Sequence, residues 1–353
     1  MIRHWTDIPA PVLELLKTGT VIPAHPLALG EGAQIDQVRQ RALTRYYLDA
    51  GAGGLAVGVH TTQFEIRDHG LYAPVLDACA RAAADWSDRP RVMIAGLVGR
   101  TEQAVTEARI ARDLGYHAGL MSLAALKGAS LDEMIAHCAA VAQEIPLFGF
   151  YLQPAVGGVP LPFEFWKRFA AIDNVIGVKM APFNRYDTLN VLRGVAAARA
   201  EDRIALYTGN DDHIVADLLT PFTILRDDER VTLPIRGGLL GHWSVWTRSA
   251  VELHARCRAA AEAGTIPAEL LALDAEVTDC NAALFDVANG FQGAIAGCHE
   301  VLRRQGLLTH TRCLSDHETL GPGQAQEITR VTRQHSHLTD DAFVADNLER
   351  WLA

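Results

Sequence analysis

Lysine is scarce in this sequence, and one of its four lysines follows an apolar run. Lys179 comes after Val175–Val178, near the end of a segment that has the composition of a buried strand, and the others lie in helical or loop sequence (Lys17, Lys127 and Lys167). A buried amine has a lowered pKa, and a neutral amine can attack a ketone to form an imine. The position therefore predicts an imine-forming lysine. The alternative is an ordinary lysine that reaches solvent at the strand end or pairs with a carboxylate.

A tyrosine lies near the end of the preceding apolar run, Phe148–Leu152. Adjacent parallel strands are about 4.8 Å apart, so Tyr151 and Lys179 would point into the same opening if both face the same side of a sheet. A phenol beside an imine can carry a proton between the nitrogen, the carbinolamine oxygen and the substrate. We predict that Tyr151 and Lys179 form a catalytic pair. An ordinary core or rim tyrosine is the alternative.

Short apolar runs alternate with amphipathic stretches over most of the chain. The predicted strands are Val21–Leu27, Leu55–Val59, Arg91–Leu97, Ala118–Leu123, Pro146–Leu152, Val175–Ala181, Ile204–Thr208 and Ile235–Leu240. Runs that are apolar on both faces are typical of buried parallel strands, and eight strand–helix repeats indicate a (β/α)8 barrel. An open doubly wound sheet is the alternative, but Leu27–Gly32 lacks the GxGxxG spacing that would follow its first strand.

The helices predicted between these strands include Ile35–Ala50, Glu102–Leu114, Leu131–Gln143 and Tyr186–Ala198. Residues 220–236 place a charged turn between two β-branched runs, which indicates a hairpin or an insertion. After Gly264 the pattern is helical throughout. We therefore divide the chain into a barrel with a short N-terminal extension, residues 1–264, and a C-terminal helical segment packed on it, residues 265–353.

Composition limits the classes of partner. The formal net charge of −10 argues against nucleic acid or an anionic membrane surface. No apolar stretch is long enough to predict a membrane span. The six cysteines form no CxxC pair, which favours a reducing cytoplasm and predicts no metal site.

At Tyr151 and Lys179 the sequence resembles the dihydrodipicolinate synthase and N-acetylneuraminate lyase family of (β/α)8 Schiff-base enzymes. Its Tyr-x-x-Pro motif is matched by Tyr151–Pro154, and its Gly-[Val/Ile]-Lys motif by Gly177–Lys179, with the family's spacing of 28 residues from tyrosine to lysine. The resemblance implies imine chemistry at Lys179, proton transfer by Tyr151, a small keto-acid substrate, no metal or organic cofactor, and a homodimer or homotetramer.

The loop after the second strand departs from the family pattern. Members that act on pyruvate carry Gly-[Thr/Ser]-Thr-Gly-Glu, which holds the keto-acid carboxylate, whereas this chain has Gly58-Val59-His60-Thr61-Thr62-Gln63. We align Val59 and His60 with the two hydroxyl residues, so the family's usual set of carboxylate-binding groups is expected to be absent. His60, Thr61 and Thr62, together with backbone N–H groups, are expected to hold the carboxylate instead.

Two further departures concern the synthase reaction. The family's arginine for the second substrate would fall near Val156, where no guanidinium exists, and Ser122–Lys127 lacks the partner-subunit tyrosine of its proton relay. Dihydrodipicolinate synthesis is therefore not expected.

The loop Gly209-Asn210-Asp211-Asp212 is similar to the Gly-x-Asp-Glu loop with which sialic-acid lyases bind substrate hydroxyls. We expect Gly209, Asp211 and Asp212 to bind the distal polar end of the substrate, because carboxylates accept several O–H donors. The alternative is a helix cap by either aspartate. His242 falls near the eighth strand, where it would line the same opening or serve packing.

The resulting hypothesis is a Schiff-base lyase or aldolase that cleaves a carbon–carbon or carbon–oxygen bond of a 2-keto acid, either pyruvate-type or sugar-derived. One alternative is a Schiff-base dehydratase or hydratase of 2-keto-3-deoxy acids. Another alternative is a catalytically inactive barrel that serves as a ligand-binding or regulatory protein.

Overall fold

Ten strands occur in the computed structural model, which describes residues 2–353. They are β1 (Val21–Pro23), β2 (Gly54–Val57), β3 (Val92–Leu97), β4 (Ala118–Met121), β5 (Leu147–Leu152), β6 (Val175–Ala181), β7 (Ala205–Thr208), β8 (Pro221–Arg226), β9 (Glu229–Pro234) and β10 (Gly237–Leu240). Eight are parallel and hydrogen-bonded in the order β1-β10-β7-β6-β5-β4-β3-β2. A parallel bridge between Ala24 and Ala56 joins β1 to β2 and closes the sheet. The predicted (β/α)8 barrel is confirmed.

The helices follow the strands as the amphipathic pattern predicts. They are α1 (Ala10–Thr18), α2 (Gln37–Ala50), α3 (Tyr72–Trp86), α4 (Thr101–Asp113), α5 (Leu131–Val141), α6 (Phe163–Ala170), α7 (Arg185–Ala197), α8 (Ile214–Leu219), α9 (Thr247–Ala263), α10 (Ala268–Leu284), α11 (Ala294–Arg304), α12 (Gln324–Gln334) and α13 (Asp341–Leu352). Within residues 2–353 none of them has the length and hydropathy needed to cross a membrane.

The apolar side chains form two layers, one on each side of the barrel wall. Ile94, Phe148 and Tyr207 belong to the cluster inside the barrel, and α1 packs onto this cluster through Val12 and Leu16. The second cluster lies between the sheet and the surrounding helices. Because successive side chains of a strand point to opposite faces, each strand contributes alternate residues to the two layers, and this alternation decides which side chains reach the site.

Two segments outside the simple repeat can be compared with the sequence. The predicted hairpin is present, because β8 and β9 pair antiparallel from Pro221 and Pro234 to Arg226 and Glu229. The prediction of helix throughout the C-terminal segment is wrong for residues 285–293, which form turns and a short 3₁₀ helix between α10 and α11, and for residues 305–323, which form turns, bends and irregular chain between α11 and α12. Glycines and a proline near the ends of the second stretch, at Gly306 and Gly321–Gly323, are poor helix formers.

The last helix, α13, packs on α2 through Trp351. The indole is fully buried, its Nε1 donates to Asp49 at 2.7 Å, and its ring centroid lies 5.4 Å from that of Tyr46. Tyr46 in turn donates its hydroxyl to Asp340, just before α13, at 2.7 Å. These contacts join the chain end to the outside of the barrel.

We expect Trp351→Ala to lower the free energy of unfolding by about 3–5 kcal/mol, because it empties a buried indole site. Leu271→Ala removes a leucine that is 60% exposed, and as a control it should change the free energy by less than about 0.5 kcal/mol. Urea denaturation followed by circular dichroism measures both. If both substitutions changed the free energy of unfolding by the same small amount, this packing of α13 would be contradicted.

Candidate active site

The side chain of Lys179 ends in a cavity at the carboxyl end of the barrel. Lys179 occupies an inward-facing position of β6 beside Phe150 of β5, and its Nζ lies 4.5 Å from the centre of that ring. The side chain is 8% exposed, and within residues 2–353 its amine donates no hydrogen bond. A cavity that is open to solvent lies above it. Burial lowers the pKa of this amine, which increases the neutral, nucleophilic fraction near neutral pH.

Asp211 supplies a carboxylate to the same cavity. Burial raises the pKa of Asp211, and the nearby charge of Lys179 opposes that shift. The carboxylate in turn favours the charged form of the amine, so it raises the pKa of Lys179 against the effect of burial. The backbone N–H of His242 donates to Oδ1 of Asp211 at 3.2 Å and fixes its orientation. Within the described chain the amine and the carboxylate form no direct ion pair, although each shifts the pKa of the other.

Gly209 leaves space for the lysine. A Cβ atom built on Gly209 would lie 2.7 Å from Cε of Lys179 and 2.8 Å from Cβ of Ala181. Real Cβ atoms do not approach other atoms so closely, so a larger residue would displace the lysine chain. The predicted site residue Gly209 therefore lines the cavity by permitting the approach of Lys179.

The loop after β2 contributes His60 and Thr61 to the opposite side of the cavity. They begin a single 3₁₀ turn, His60–Thr62, and the backbone N–H groups of both have no acceptor among residues 2–353. Burial lowers the pKa of His60 to about 4, aided by the charge of Lys179, so the imidazole is neutral near pH 7. Two free N–H groups, a hydroxyl and a neutral imidazole suit a carboxylate or carbonyl oxygen.

Comparisons with known proteins identify the family of this chain. The model of the family described as "Dihydrodipicolinate synthetase family" matches residues 17–221. The chain belongs to this family. A curated relative, the 4-hydroxy-tetrahydrodipicolinate synthase of Halorhodospira halophila, is 24% identical over 202 residues, which are 56% of this chain and 64% of the relative. The match therefore spans less than two thirds of that relative's length.

Solved structures of the family share the fold. The chloride-inhibited dihydrodipicolinate synthase of Acinetobacter baumannii, complexed with pyruvate, superposes with a TM-score of 0.73 at 18% identity, covering 90% of this chain and 99% of the other. A prophage protein of the dihydrodipicolinic acid synthase family from E. coli, also in complex with pyruvate, gives 0.72 at 19% identity, covering 91% and 99%.

The backbone of Gln63 bears on the alignment of the loop after β2. Gln63 has a φ of 71°, a left-handed conformation that favours glycine. It directly follows Thr61 and Thr62, as the second glycine of the family motif follows its two hydroxyl residues. We therefore propose that Thr61 and Thr62 align with those hydroxyl residues, in place of Val59 and His60, and that His60 and Gln63 stand at the two glycine positions.

Thr62 is not part of the cavity wall, contrary to the prediction. Its hydroxyl accepts from the N–H of Gly58 at 2.9 Å and donates to the carbonyl of His25 at 2.6 Å. Both bonds tie the loop to the barrel rim, and the second uses the only proton of the hydroxyl. Thr62 holds the loop in place, and Thr61 presents its side chain to the cavity.

Tyr151 also lies away from the cavity, so its predicted pairing with Lys179 is wrong. On β5 the inward-facing side chains are Phe148, Phe150 and Leu152, and Tyr151 faces the helices. Its ring centroid lies 5.4 Å from that of Trp166 in α6, and its hydroxyl accepts from the N–H of Leu161 at 3.2 Å. The register decides this placement, because β6 pairs Lys179 with Phe150 and places Tyr151 opposite Met180.

Asp212 and His242 do not line the cavity either. Asp212 is exposed, whereas His242 is buried behind Asp211, where burial lowers the pKa of its ring to about 4. His242 serves the site through its backbone N–H. The helix cap proposed as an alternative for the aspartates is also wrong, because His213 precedes α8 and no side chain caps it.

Sequence reasoning missed the aromatic part of the wall. Phe150, Phe183, Phe285 and Phe291 line the cavity, as does Gln153 after β5. The signal for Phe150 was available, since it alternates with Phe148 on one face of β5. Phe285 and Phe291 follow α10 and reach the barrel mouth only through tertiary packing.

The charge coupling predicts a shift in the titration of Lys179. We expect Asp211→Asn to lower the pKa of Lys179 by about one pH unit, because a neutral amide no longer stabilises the ammonium. Asp212→Asn, the control, alters an exposed neighbour outside the cavity and should leave the titration midpoint of Lys179 unchanged. With only four lysines in the chain, carbon-13 labelling at Cε resolves the titration by NMR. A midpoint unchanged or raised in Asp211→Asn would contradict the coupling.

Proposed function

We propose that this protein is a Schiff-base lyase of the aldolase type that acts on a 2-keto acid through Lys179. The observation that carries the proposal is a buried amine with a lowered pKa and no hydrogen-bond partner in the described chain, located on the floor of the cavity. Such an amine can add to a ketone, and the resulting imine accepts electrons when an adjacent carbon–carbon bond breaks. Family membership supports this class of chemistry.

The keto-acid carboxylate is assigned to the 3₁₀ turn. The N–H groups of His60 and Thr61 and the hydroxyl of Thr61 lie at the cavity wall, and none of these N–H groups has an acceptor among residues 2–353. Binding there would place the adjacent carbonyl carbon toward Lys179. The neutral ring of His60 can donate a further hydrogen bond.

Asp211 is assigned the proton transfers that the family's tyrosine would otherwise perform. The hydroxyl of Tyr151 is outside the cavity, whereas Asp211 is the one carboxylate that the described part of the chain places on its wall. Its pKa is raised by burial, which brings the group closer to neutral pH and suits both acceptance and return of a proton. The space between this carboxylate and the amine would hold the reacting carbon atoms.

The steps for a 4-hydroxy-2-keto acid balance without a cofactor. The neutral amine adds to C2, and with one proton from solvent a water molecule leaves as the protonated imine forms. Asp211 accepts the proton of the 4-hydroxyl group, the C3–C4 bond breaks, an aldehyde leaves and the electrons remain in a neutral enamine. Asp211 returns its proton to C3, which restores the protonated imine. Water then hydrolyses this imine, which releases pyruvate, the neutral amine and the proton taken from solvent. Within residues 2–353 the cavity wall holds no arginine for a second carboxylate, so we do not assign dihydrodipicolinate synthesis.

Borohydride trapping tests the proposal. We expect pyruvate and sodium borohydride to attach one three-carbon adduct to Lys179, identified by mass spectrometry of the digested protein. Gly209→Ala should reduce trapping by at least about tenfold, because the added Cβ collides with the lysine chain.

Gly30→Ala is the matched control. A Cβ atom there would meet its nearest atom only at 3.7 Å, so the substitution adds a methyl group without a collision at a residue that does not line the cavity. It should trap pyruvate as the unchanged protein does. The absence of an adduct at Lys179 with pyruvate and with longer 2-keto acids would refute the proposal and favour a binding role.

A further inference from the structure

Apolar side chains form most of the cavity wall beyond the reacting groups. The large ones are Phe150, Leu152, Phe183, Phe285, Phe291 and Ile295. Among residues 2–353 the only formally charged side chains on the wall are Lys179 and Asp211, and His60 is neutral near pH 7. A phosphate or a second carboxylate on the substrate would therefore have no cationic partner once Lys179 has formed an imine.

Hydrogen-bonding groups for a polyhydroxylated chain are also few. Apart from the groups assigned to the reacting centre, Gln153 is the one polar side chain on the wall. A sugar-derived keto acid would bury several hydroxyl groups against phenyl rings, and each unpaired hydroxyl is unfavourable. The wall favours a substrate that carries an apolar group.

Two of the phenylalanines are held in a backbone conformation that L-residues rarely adopt. Phe183 has a φ of 52° and Phe291 a φ of 68°. Bulky residues in this region are uncommon because the side chain is crowded by the neighbouring backbone there. The two rings contact each other edge to face with centroids 6.1 Å apart, although they come from different parts of the chain.

Both backbones are fixed by hydrogen bonds. The N–H of Phe183 donates to the side chain of Asn210 at 3.1 Å, and the N–H of Phe291 donates to the carbonyl of Asp286 at 3.0 Å. Asn210 is itself buried and donates to Asp217. The surrounding structure thus holds Phe183 and Phe291 in unfavourable backbone conformations, and in these conformations their two rings pair at the cavity mouth.

From this arrangement we infer that the site takes a 2-keto acid whose chain ends in an uncharged, ring-sized apolar group, and that Phe183 and Phe291 bind that group. The inference rests on the proposed function for the position of the keto acid. In the cleavage direction the substrate is a 4-hydroxy-2-keto acid bearing an aryl group at C4, and the products are pyruvate and an aryl aldehyde. Aromatic rings pack favourably edge to face with the phenyl groups of the wall.

Calorimetric binding of three keto acids tests the inference. The ligands are 4-phenyl-2-oxobutanoate, 2-oxobutanoate, which lacks only the phenyl ring, and a 2-keto-3-deoxy sugar acid. We expect the phenyl compound to bind at least about tenfold more tightly than the other two, because its ring leaves water. The preference should persist in Lys179→Met, which cannot form an imine.

Phe291→Gly and Arg199→Gly form a matched pair of variants. Both replace a residue of positive φ, 68° and 53°, by glycine, but Arg199 lies outside the cavity. Each substitution relieves backbone strain, but it also removes side-chain contacts and raises the entropy of the unfolded chain. The melting temperature of both variants is therefore measured, so that binding is compared only between folded proteins. Only Phe291→Gly should lose the preference for the phenyl compound, by at least about fivefold.

The outcomes separate the two proposals. A sugar acid that binds as tightly as the phenyl compound, or a phenyl preference that survives Phe291→Gly combined with Phe183→Gly, would overturn the aromatic subsite even if pyruvate is trapped at Lys179. A phenyl preference in Lys179→Met without any borohydride adduct in the unchanged protein would support the subsite and refute the imine chemistry.

Discussion

The site depends on an amine and a carboxylate that share one apolar cavity without touching. Desolvation disfavours the charged form of each group, and the field of each group favours the charge of the other. Their separation is maintained by β6, which carries Lys179, and by the turn after β7, where the N–H of His242 holds Asp211. The parallel barrel brings these strand ends together, so the reactivity of both groups depends on its closure.

The surrounding loops serve this pair by geometry more than by charge. Thr62 fixes the loop after β2 to the barrel rim, which leaves Thr61 and two backbone N–H groups free at the wall. Gly209 provides the space through which the lysine chain passes. The strained backbones at Phe183 and Phe291 close the opposite side with aromatic rings. The cavity is consequently polar at its floor and apolar at its mouth.

Tyr151 and Lys179 show that the spacing of two residues in the sequence does not determine which face of the barrel wall each side chain occupies. A spacing of 28 residues agrees with the family, yet the two side chains lie on opposite faces of the barrel wall. Spacing along the chain does not fix the register of two strands, and β5 and β6 carry an irregularity between Leu147 and Phe148. A difference of one residue turns a side chain to the other face.

The sequence alone determined the barrel, the hairpin, the family and the position of Lys179, because periodic apolar runs and local motifs encode strands, helices and strand ends directly. It also identified His60, Thr61, Gly209 and Asp211. Only the tertiary structure decided that Tyr151, Thr62 and Asp212 are outside the cavity and that Phe285 and Phe291 are inside. Those assignments depend on strand register, on hydrogen bonds between distant loops and on the docking of the C-terminal helices, which are contacts between residues far apart in the chain.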